Sequence, residues 1–463
     1  MPDDQPVVPV HLTLPTVGPG AEDAVSAVVA DHLRALRLPG RPEVTVAAGG
    51  GTTWGLRVNG TAVRCPAPDV AGVVHAVTHG GGHWLEDVPP EAGAALAAGL
   101  CSAALQARLS VLLGPAQLAA VLDGTGGPPG VEAALRTVVE HGVALDGAAL
   151  AEVVGGGRPT PVEVAERLLE RGQAETLDVR LAPATLRRLT SGTDTDVFPA
   201  LREDLYDRLG VLGPDFHLAA DPSLPEDGFA FTLGVVRTWP RHLPAGSGLP
   251  DVADALGELL RRRAAWFISM RTVEEMSDRL EVVLPDTMRT VRERYPLEWL
   301  TAVARAAVDE GTSLRNLATV LDRLLDLDPH PSADTYRMRE GSPPQVDRGT
   351  GDLPAPRDAV ALVRQRLREE VARTTTAAEV LVHRLPPELE ERLDVAVRAG
   401  APSAADAEAA AAEAREVAWD GLPLVAPSLA LRGWLRDTLR GELPDLEVVA
   451  LTEYPPALTV RAV

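Results

Sequence analysis

Apolar and polar positions alternate along the chain in a way that predicts the same series of elements twice. The strand-like run VHLTLP at residues 10–15 is followed by a helical stretch and then by PEVTVAA at residues 42–48. Much later, LDVRLAP at residues 177–183 is followed by a helical stretch and then by PDFHLAA at residues 214–220. The two series are about 170 residues apart, which indicates an internal duplication.

The parallel continues beyond these strands. An apolar segment ending in Val-Arg follows in both series, at residues 55–64 and 229–237. An alanine-rich helix at residues 91–113 then corresponds to a helix at residues 251–268. The pattern predicts two related βαββ-plus-helical modules, the first of them diverged.

The remaining chain predicts a linker and a third unit. The stretch before residue 356 is rich in Pro, Gly, Ser and Asp and has no apolar period, as is typical of a linker. Strands and helices alternate after it, which predicts a small α/β domain. The fold class is therefore mixed α/β (α+β). We place the first module at residues 1–155, the second at 176–328, the linker at 329–355 and the C-terminal α/β domain at 356–463.

Composition narrows the classes of function. The net charge of −22 argues against nucleic acid or an anionic membrane surface as the main partner. All 44 basic residues are arginine, so lysine-dependent chemistry and a lysine-containing phosphate loop are excluded. The chain has two cysteines, no basic leader and no apolar run of about 18–20 residues, so we expect a cytoplasmic protein without membrane helices.

One histidine-rich stretch suggests chemistry. In VVHAVTHGGGHW, residues 73–84, three histidines are spaced by four: His75, His79 and His83. That spacing suits zinc on a helix, but the three glycines before His83 interrupt any helix that would align the ligands. The His-Gly-Gly-Gly letters also resemble an esterase oxyanion loop, but no G-x-S-x-G nucleophile motif accompanies them. A polar, flexible loop is the alternative, and no metal or cofactor is expected.

A basic and aromatic segment is the candidate partner-binding site. Arg261, Arg262, Trp266 and Phe267 lie close together in LLRRRAAWF, and Trp239 precedes them in a connector. Arginine and tryptophan are favoured at protein interfaces. The alternative is a solvated helix face with ordinary core aromatics. No carboxylate pair stands out by its spacing as a general acid and base.

Three stretches resemble one known family. These are the segment at residues 198–237, the segment at 251–328 containing GTSLRNLATVL, and the C-terminal segment at 423–463. In order and spacing they are similar to the cytosolic region of the FHIPEP family, the export-gate proteins of flagellar and virulence type III secretion. The resemblance covers residues 178–463, and reaches residues 8–155 only through the duplication.

The chain also departs from that family. Family members have a membrane half, whereas here a second copy of the α/β-plus-helical unit occupies that place. The small inserted subdomain, which helps to form a chaperone–cargo site in the family, should follow VVRTWPRHLPAGSG but has no room there. Neither that binding site nor export through a membrane can therefore be carried over.

The resemblance implies a non-catalytic cytosolic scaffold that binds other proteins. Its partners would be export apparatus, chaperone or cargo if the family function holds. Self-association into an oligomer is expected as well, and any contact with a membrane would be indirect, through a partner. Two alternatives stay open: a stand-alone regulatory or defence component that reuses the fold, and a metal-dependent hydrolase at His75, His79 and His83.

Overall fold

The computed structural model describes most of the chain. It covers residues 5–463 apart from 50–53, 64–66, 79–84, 86–87, 124–128, 158, 173–175, 191–196, 245, 327–352, 375–378, 419–420, 440–442, 444–445 and 455–457. The described residues form three sheets, each followed or surrounded by helices. The predicted mixed α/β class is confirmed.

The first module begins with a four-stranded sheet. Its strands and first helices are β1 (Val7–Leu14), α1 (Ala21–Ala35), β2 (Arg41–Ala48), β3 (Gly55–Val58), β4 (Thr61–Val63) and α2 (Ala67–Val77). Every second residue of β1 is buried, because one face of the sheet packs on the core and the other does not. The strand order is β2-β1-β3-β4, with β1 parallel to β2 and antiparallel to β3.

A two-residue turn closes the β3–β4 hairpin. Asn59 and Gly60 both have positive φ angles, of 49° and 76°, as a type I′ turn requires. The Asn59 side chain donates a hydrogen bond of 2.8 Å to the carbonyl oxygen of Val111. The turn therefore ties the sheet to the helical part of the same module.

The described residues in the helical part of the first module form five α-helices. They are α3 (Gly93–Ala107), α4 (Pro115–Leu122), α5 (Val131–Glu140), α6 (Gly147–Gly155) and α7 (Pro161–Gly172). Most side chains of α3 are buried, since it packs against α1, α2 and the sheet. The last helix, α7, packs on α5 and α6 and leads to the next sheet.

The second module repeats this plan. Its elements are β5 (Thr176–Leu181), α8 (Pro183–Thr190), α9 (Val197–Leu209), β6 (Asp215–Ala220), β7 (Gly228–Leu233), β8 (Val236–Arg237), β9 (Arg241–His242), α10 (Leu249–Arg262), α11 (Met270–Val283), α12 (Pro285–Arg294), α13 (Leu297–Asp309) and α14 (Leu317–Asp326). The strand order β6-β5-β7-β8 and the pairing directions match those of the first sheet. The predicted relation between the two modules is thus visible in the sheets.

The C-terminal unit has an all-parallel sheet. Its elements are α15 (Pro356–Thr374), β10 (Glu379–Arg384), α16 (Pro387–Arg398), α17 (Ala404–Val417), β11 (Leu424–Ala426), α18 (Leu429–Leu439), β12 (Val448–Ala450) and β13 (Thr459–Ala462). The order is β12-β11-β10-β13. Leu431, Leu435 and Leu439 of α18 are buried in its core, as their helical spacing predicts.

Helix α15 bears on the domain boundaries drawn from the sequence. Its residues Ala359, Val360 and Val363 belong to the core of the second module, just as α7 belongs to the core of the first. Both helices then lead into the next sheet. The predicted linker at 329–355 lies, as far as residue 352, outside the described residues. The boundaries stay a prediction.

The connection between β9 and α10 is short. Only residues 243–248 separate the end of β9 from the start of α10. An inserted subdomain has no room at this place. Among the described residues, none of the helices combines the length and the apolar character needed to cross a bilayer.

Candidate partner-binding cleft

Two tryptophans of the second module pack on glycines of the first; we call this contact region the first junction. A Cβ atom on Gly99 of α3 would come within 3.0 Å of the Trp239 ring and 2.5 Å of Val73. A Cβ atom on Gly142, after α5, would come within 2.7 Å of the Trp266 ring. Gly142 also has a φ of +67°, which favours glycine. The absence of a side chain at both positions lets the indole rings approach the first module closely.

Trp266 belongs to both modules at once. Its ring packs against the cores of the first and the second module. The guanidinium of Arg263 lies over the ring, 4.4 Å from its centre, in a cation–π arrangement. The His141 ring lies 6.2 Å away, at the end of α5.

A shared carboxylate also joins the two modules. Asp69 of α2 accepts hydrogen bonds from Arg241 at 2.7 Å and from Arg262 at 2.6 and 3.2 Å. All three side chains are largely buried, with at most 23% of each exposed. Partial burial strengthens such charge-assisted bonds relative to those on an open surface.

A cleft of about 910 Å³ opens where the three units meet. The first module contributes the β3–β4 hairpin, α2, the end of α3 and the end of α5. The second contributes residues between β7 and Trp266 together with Asp309 at the end of α13, and the C-terminal unit contributes residues of α15, α17 and α18. Three of the chain's seven tryptophans line it: Trp239, Trp266 and Trp434.

Three of the four acidic residues that line the cleft have partners that hold them in place. Asp69 holds two arginines, and Asp437 of α18 pairs with Arg357 at 2.6 Å. The Glu140 carboxylate accepts a 2.9 Å hydrogen bond from the backbone of Ser110. These contacts connect the carboxylates to other parts of the cleft wall.

A buried ion cluster joins the second module to the C-terminal unit; we call this the second junction. Arg364 of α15 and Arg432 of α18 both contact Glu310, which follows α13, and Glu453, which follows β12. The side chains are between 0 and 7% exposed. Arg364 also donates to the carbonyl oxygens of Glu310 and Val448. The cluster satisfies most of its own hydrogen bonds.

A buried pair of opposite charges belongs to the first junction. Glu166 of α7 lies 3.3 Å from Arg305 of α13, and the two side chains are 2% and 5% exposed. One carboxylate oxygen of Glu166 and two guanidinium nitrogens of Arg305 have no hydrogen-bond partner. Burial raises the pKa of Glu166 to about 7, although Arg305 opposes the shift.

The structure brings together three of the five predicted partner-binding residues. Arg262, Trp266 and Trp239 all line the cleft. Phe267 is instead buried in the core of the second module. Arg261 points elsewhere as well, with its nearest carboxylate at Asp204, 3.9 Å away. The assignment of these residues to a partner stays a prediction.

The histidine stretch is only partly within the described residues. His79 and His83 lie outside them, so the proposed set of three ligands cannot be placed. His75 lies on α2, where its ring contacts that of His242 at 5.5 Å. Residues 73–77 therefore form a helix packed on α3 and β9, and the interpretation of this part as a loop was wrong.

Metal binding and thiol chemistry can be examined in the part of the chain that the structure describes. No group of three His, Cys, Asp or Glu side chains there could hold a metal ion. Cys101 is fully buried in α3, and burial raises the pKa of its thiol to about 12. A thiol with such a pKa is a poor nucleophile near neutral pH.

Sequence reasoning missed several residues of the cleft. Asp69, Arg57, Arg108 and Trp434 line it, but none is part of a motif. The Trp434 side chain is half-buried, because it packs on the core of the C-terminal unit and also lines the cleft. The sequence contains a weak indication that Arg57 is exposed. It lies between the apolar residues Leu56 and Val58, just before the Asn-Gly turn, and the strand does bury these two neighbours.

Comparison with known proteins identifies similar solved structures. No family model matches the chain, and no curated protein matches it. The chain is similar to the CdsV protein of Chlamydia pneumoniae, with 18% identity, a TM-score of 0.46, and 62% of this chain and 95% of that one covered. It is similar to MxiA of Shigella flexneri, with 16% identity, a TM-score of 0.45, and coverages of 62% and 97%.

A third similar structure comes from a named secretion system. It is the nonameric cytosolic domain of EscV from the type III secretion system, with 14% identity and a TM-score of 0.41. The match covers 63% of this chain and 96% of that domain. The similarity to these three structures concerns the fold alone.

Proposed function

We propose that this protein is a non-catalytic cytoplasmic scaffold that binds other proteins in the cleft between its three units. The observation that carries the proposal is the cleft itself, which is large, joins all three units and is lined by three tryptophans. Tryptophan and arginine are common anchors at protein interfaces. Three of its four acidic residues are engaged in ion pairs and hydrogen bonds, which supports binding rather than bond chemistry.

The pathway in this proposal comes from the sequence. The three stretches between residues 198 and 463 that resemble the FHIPEP family support a role related to type III secretion. Partners would then be export apparatus, chaperone or cargo, and copies of the chain would associate with one another. A stand-alone regulatory role would use the same cleft. Genes for an export apparatus next to this one would favour secretion.

A capture experiment tests the scaffold proposal. The full chain and a Trp434→Ala variant are immobilised, exposed to an extract of the native host, and bound proteins are identified by mass spectrometry. Trp434 lines the cleft from the C-terminal unit, so its removal should reduce partner capture. Leu212→Ala removes a 57% exposed side chain outside the cleft lining and is the matched control.

The capture experiment can either support or contradict the scaffold proposal. A specific partner that binds wild type and the control but not Trp434→Ala supports the proposal. No specific partner, or a partner bound equally by all three proteins, contradicts it. Light scattering on the purified chain separately tests self-association, and a strict monomer at all concentrations would contradict that part.

A further inference from the structure

We infer that the cleft binds an acidic, extended segment of a partner protein, a conclusion that rests on the proposed scaffold function. It goes further by naming the chemistry of the partner. The cleft has an excess of arginines, two of which form no ion pair with a described residue, and it has aromatic side chains in its lining.

The charge of the cleft is opposite to that of the whole chain. Six arginines line it against four acidic residues, while the protein carries a net charge of −22. One carboxylate, that of Asp69, is shared by Arg241 and Arg262. A local positive charge in a cleft walled by protein attracts an acidic partner more strongly than the same charge on an open surface.

Two of these arginines are available for a partner. Arg57 on β3 and Arg108 at the end of α3 are both exposed. Neither guanidinium forms an ion pair or hydrogen bond with any described residue. Arginine binds carboxylates in a two-pronged geometry, so each of these side chains suits an Asp or Glu of a partner.

An apolar side chain would find a surface in the same cleft. Part of Trp434 packs against the core of the C-terminal unit, and the rest lines the cleft. Trp239 also lines the cleft, where it packs on Gly99. Trp266, in contrast, is covered by Arg263. A segment that alternates acidic and apolar residues would therefore match this lining.

A peptide fits the cleft better than a phosphorylated small molecule. Phosphate commonly binds the free backbone N–H groups at a helix N-terminus. One helix start at the cleft, that of α17, is already capped, since Ser403 and Asp406 bond each other's backbone N–H groups. Arg57 on β3 and Arg108 at the end of α3 come from different elements, as two separate carboxylates of a peptide would require.

Fluorescence polarisation with a defined peptide tests the inference. The probe is a fluorescein-labelled peptide of sequence Glu-Glu-Phe-Glu-Glu-Leu, and the matched probe replaces each Glu by Lys. We expect the full chain to bind the acidic probe, with affinity that falls as salt rises, and not to bind the basic one. ATP serves as a competitor that carries phosphate instead of carboxylates.

Charge reversal of the two arginines is the decisive change. Arg57→Glu combined with Arg108→Glu should weaken binding of the acidic probe at least about tenfold, or about 1.4 kcal/mol. The control combines Arg34→Glu with Arg289→Glu, which alters charge equally at exposed positions on α1 and α12. A second variant, Arg57→Gln with Arg108→Gln, covers the case in which charge reversal impairs folding, as judged by thermal unfolding.

Several outcomes would overturn the inference. These are failure to bind the acidic probe, equal binding by the charge-reversed and control proteins, or binding of ATP in place of the peptide. If the charge-reversed protein fails to bind the probe but still captures the host partner, the inference is wrong while the scaffold proposal stands. If no host partner exists but the probe binds at Arg57 and Arg108, the scaffold proposal fails instead.

Discussion

The first and second junctions hold the same module in different ways. At the first junction, Trp239 and Trp266 pack on glycines, and the buried pair of Glu166 with Arg305 keeps several polar atoms without a hydrogen-bond partner. At the second, two arginines and two glutamates form a connected cluster in which Arg364 also bonds backbone carbonyls. Both junctions use α13, whose Arg305 and neighbouring Glu310 lie on either side of its C-terminal turn.

The difference shows what makes a buried charge tolerable. Removing two charges from water costs several kcal/mol, and attraction between them offsets this only when other polar atoms are also satisfied. The cluster at the second junction meets that condition more fully than the pair of Glu166 with Arg305 does. At the first junction, burial of aromatic surface contributes instead.

Breaking the cluster at the second junction should have the largest effect. Arg364→Met removes one of the two arginines that contact the fully buried Glu453, whose carboxylate also accepts a hydrogen bond from the backbone N–H of Ala450. We expect a loss of about 3–5 kcal/mol in the free energy of unfolding, because a buried carboxylate loses its main partner. Denaturant unfolding monitored by tryptophan fluorescence measures it.

The control for this change is an exposed pair. Arg289→Met removes a partner of Asp286 on the surface of α12 and should change stability little. Equal losses in both variants would mean that the buried cluster is no more important than a surface pair.

The buried pair at the first junction should make stability depend on pH. The pKa of Glu166 is raised from 4.5 to about 7, so the native state binds this proton more tightly than the unfolded chain does. Its contribution to stability is complete below about pH 4.5 and is lost as the pH rises through about 7, by up to about 3 kcal/mol. Unfolding free energies measured from pH 4.5 to 8 should decline less steeply in Glu166→Gln.

The slope is the quantity to compare, because Glu166→Gln also leaves Arg305 without its carboxylate at every pH. Glu152→Gln, an exposed change also in the first module, should keep the wild-type slope. Parallel slopes in wild type and Glu166→Gln would show that this carboxyl group is ionised in the native state throughout that range.

Adding a side chain at Gly99, on which Trp239 packs, should have the smallest of the three effects on stability. The added methyl group of Gly99→Ala meets Val73 at 2.5 Å and the Trp239 ring at 3.0 Å. We expect a loss of about 1–3 kcal/mol from overpacking, measured by thermal unfolding, with a change in tryptophan emission.

Gly433→Ala is the matched control for Gly99→Ala. Gly433 also lies inside a helix, α18, but no atom lies within 4 Å of an added Cβ. That variant should gain up to about 1 kcal/mol from helix propensity. A gain in both variants would show that α3 and Trp239 move apart easily.

The spacing of apolar and polar residues along the sequence was enough to predict several strands of the fold. The runs at residues 10–15 and 177–183 became β1 and β5, and those at 42–48 and 214–220 became β2 and β6. These predictions succeeded because a strand with one buried face has a simple alternation. Helix α2 was missed, since its residues 67–77 precede a run of glycines that indicated a loop.

The junctions could not be predicted in the same way. Arg364 and Arg432 occupy helical positions that look like ordinary solvated arginines in the sequence. They are buried because carboxylates from distant parts of the chain, at Glu310 and Glu453, meet them. Contacts between residues far apart in the chain produce no repeating pattern of apolar and polar residues in the sequence. The cleft and its charged groups were therefore found only in the structure.

The separation of Glu166 from Arg305 has a consequence for synthesis of the chain. Domains form from the amino end as the ribosome works at about 5–20 residues per second. Helix α7 can therefore join its module on the order of ten seconds before α13 has been made. During that interval Glu166 has no arginine to meet, and water can keep it charged. The nascent first module thus exposes a glutamate, Glu166, that is later buried between the two modules.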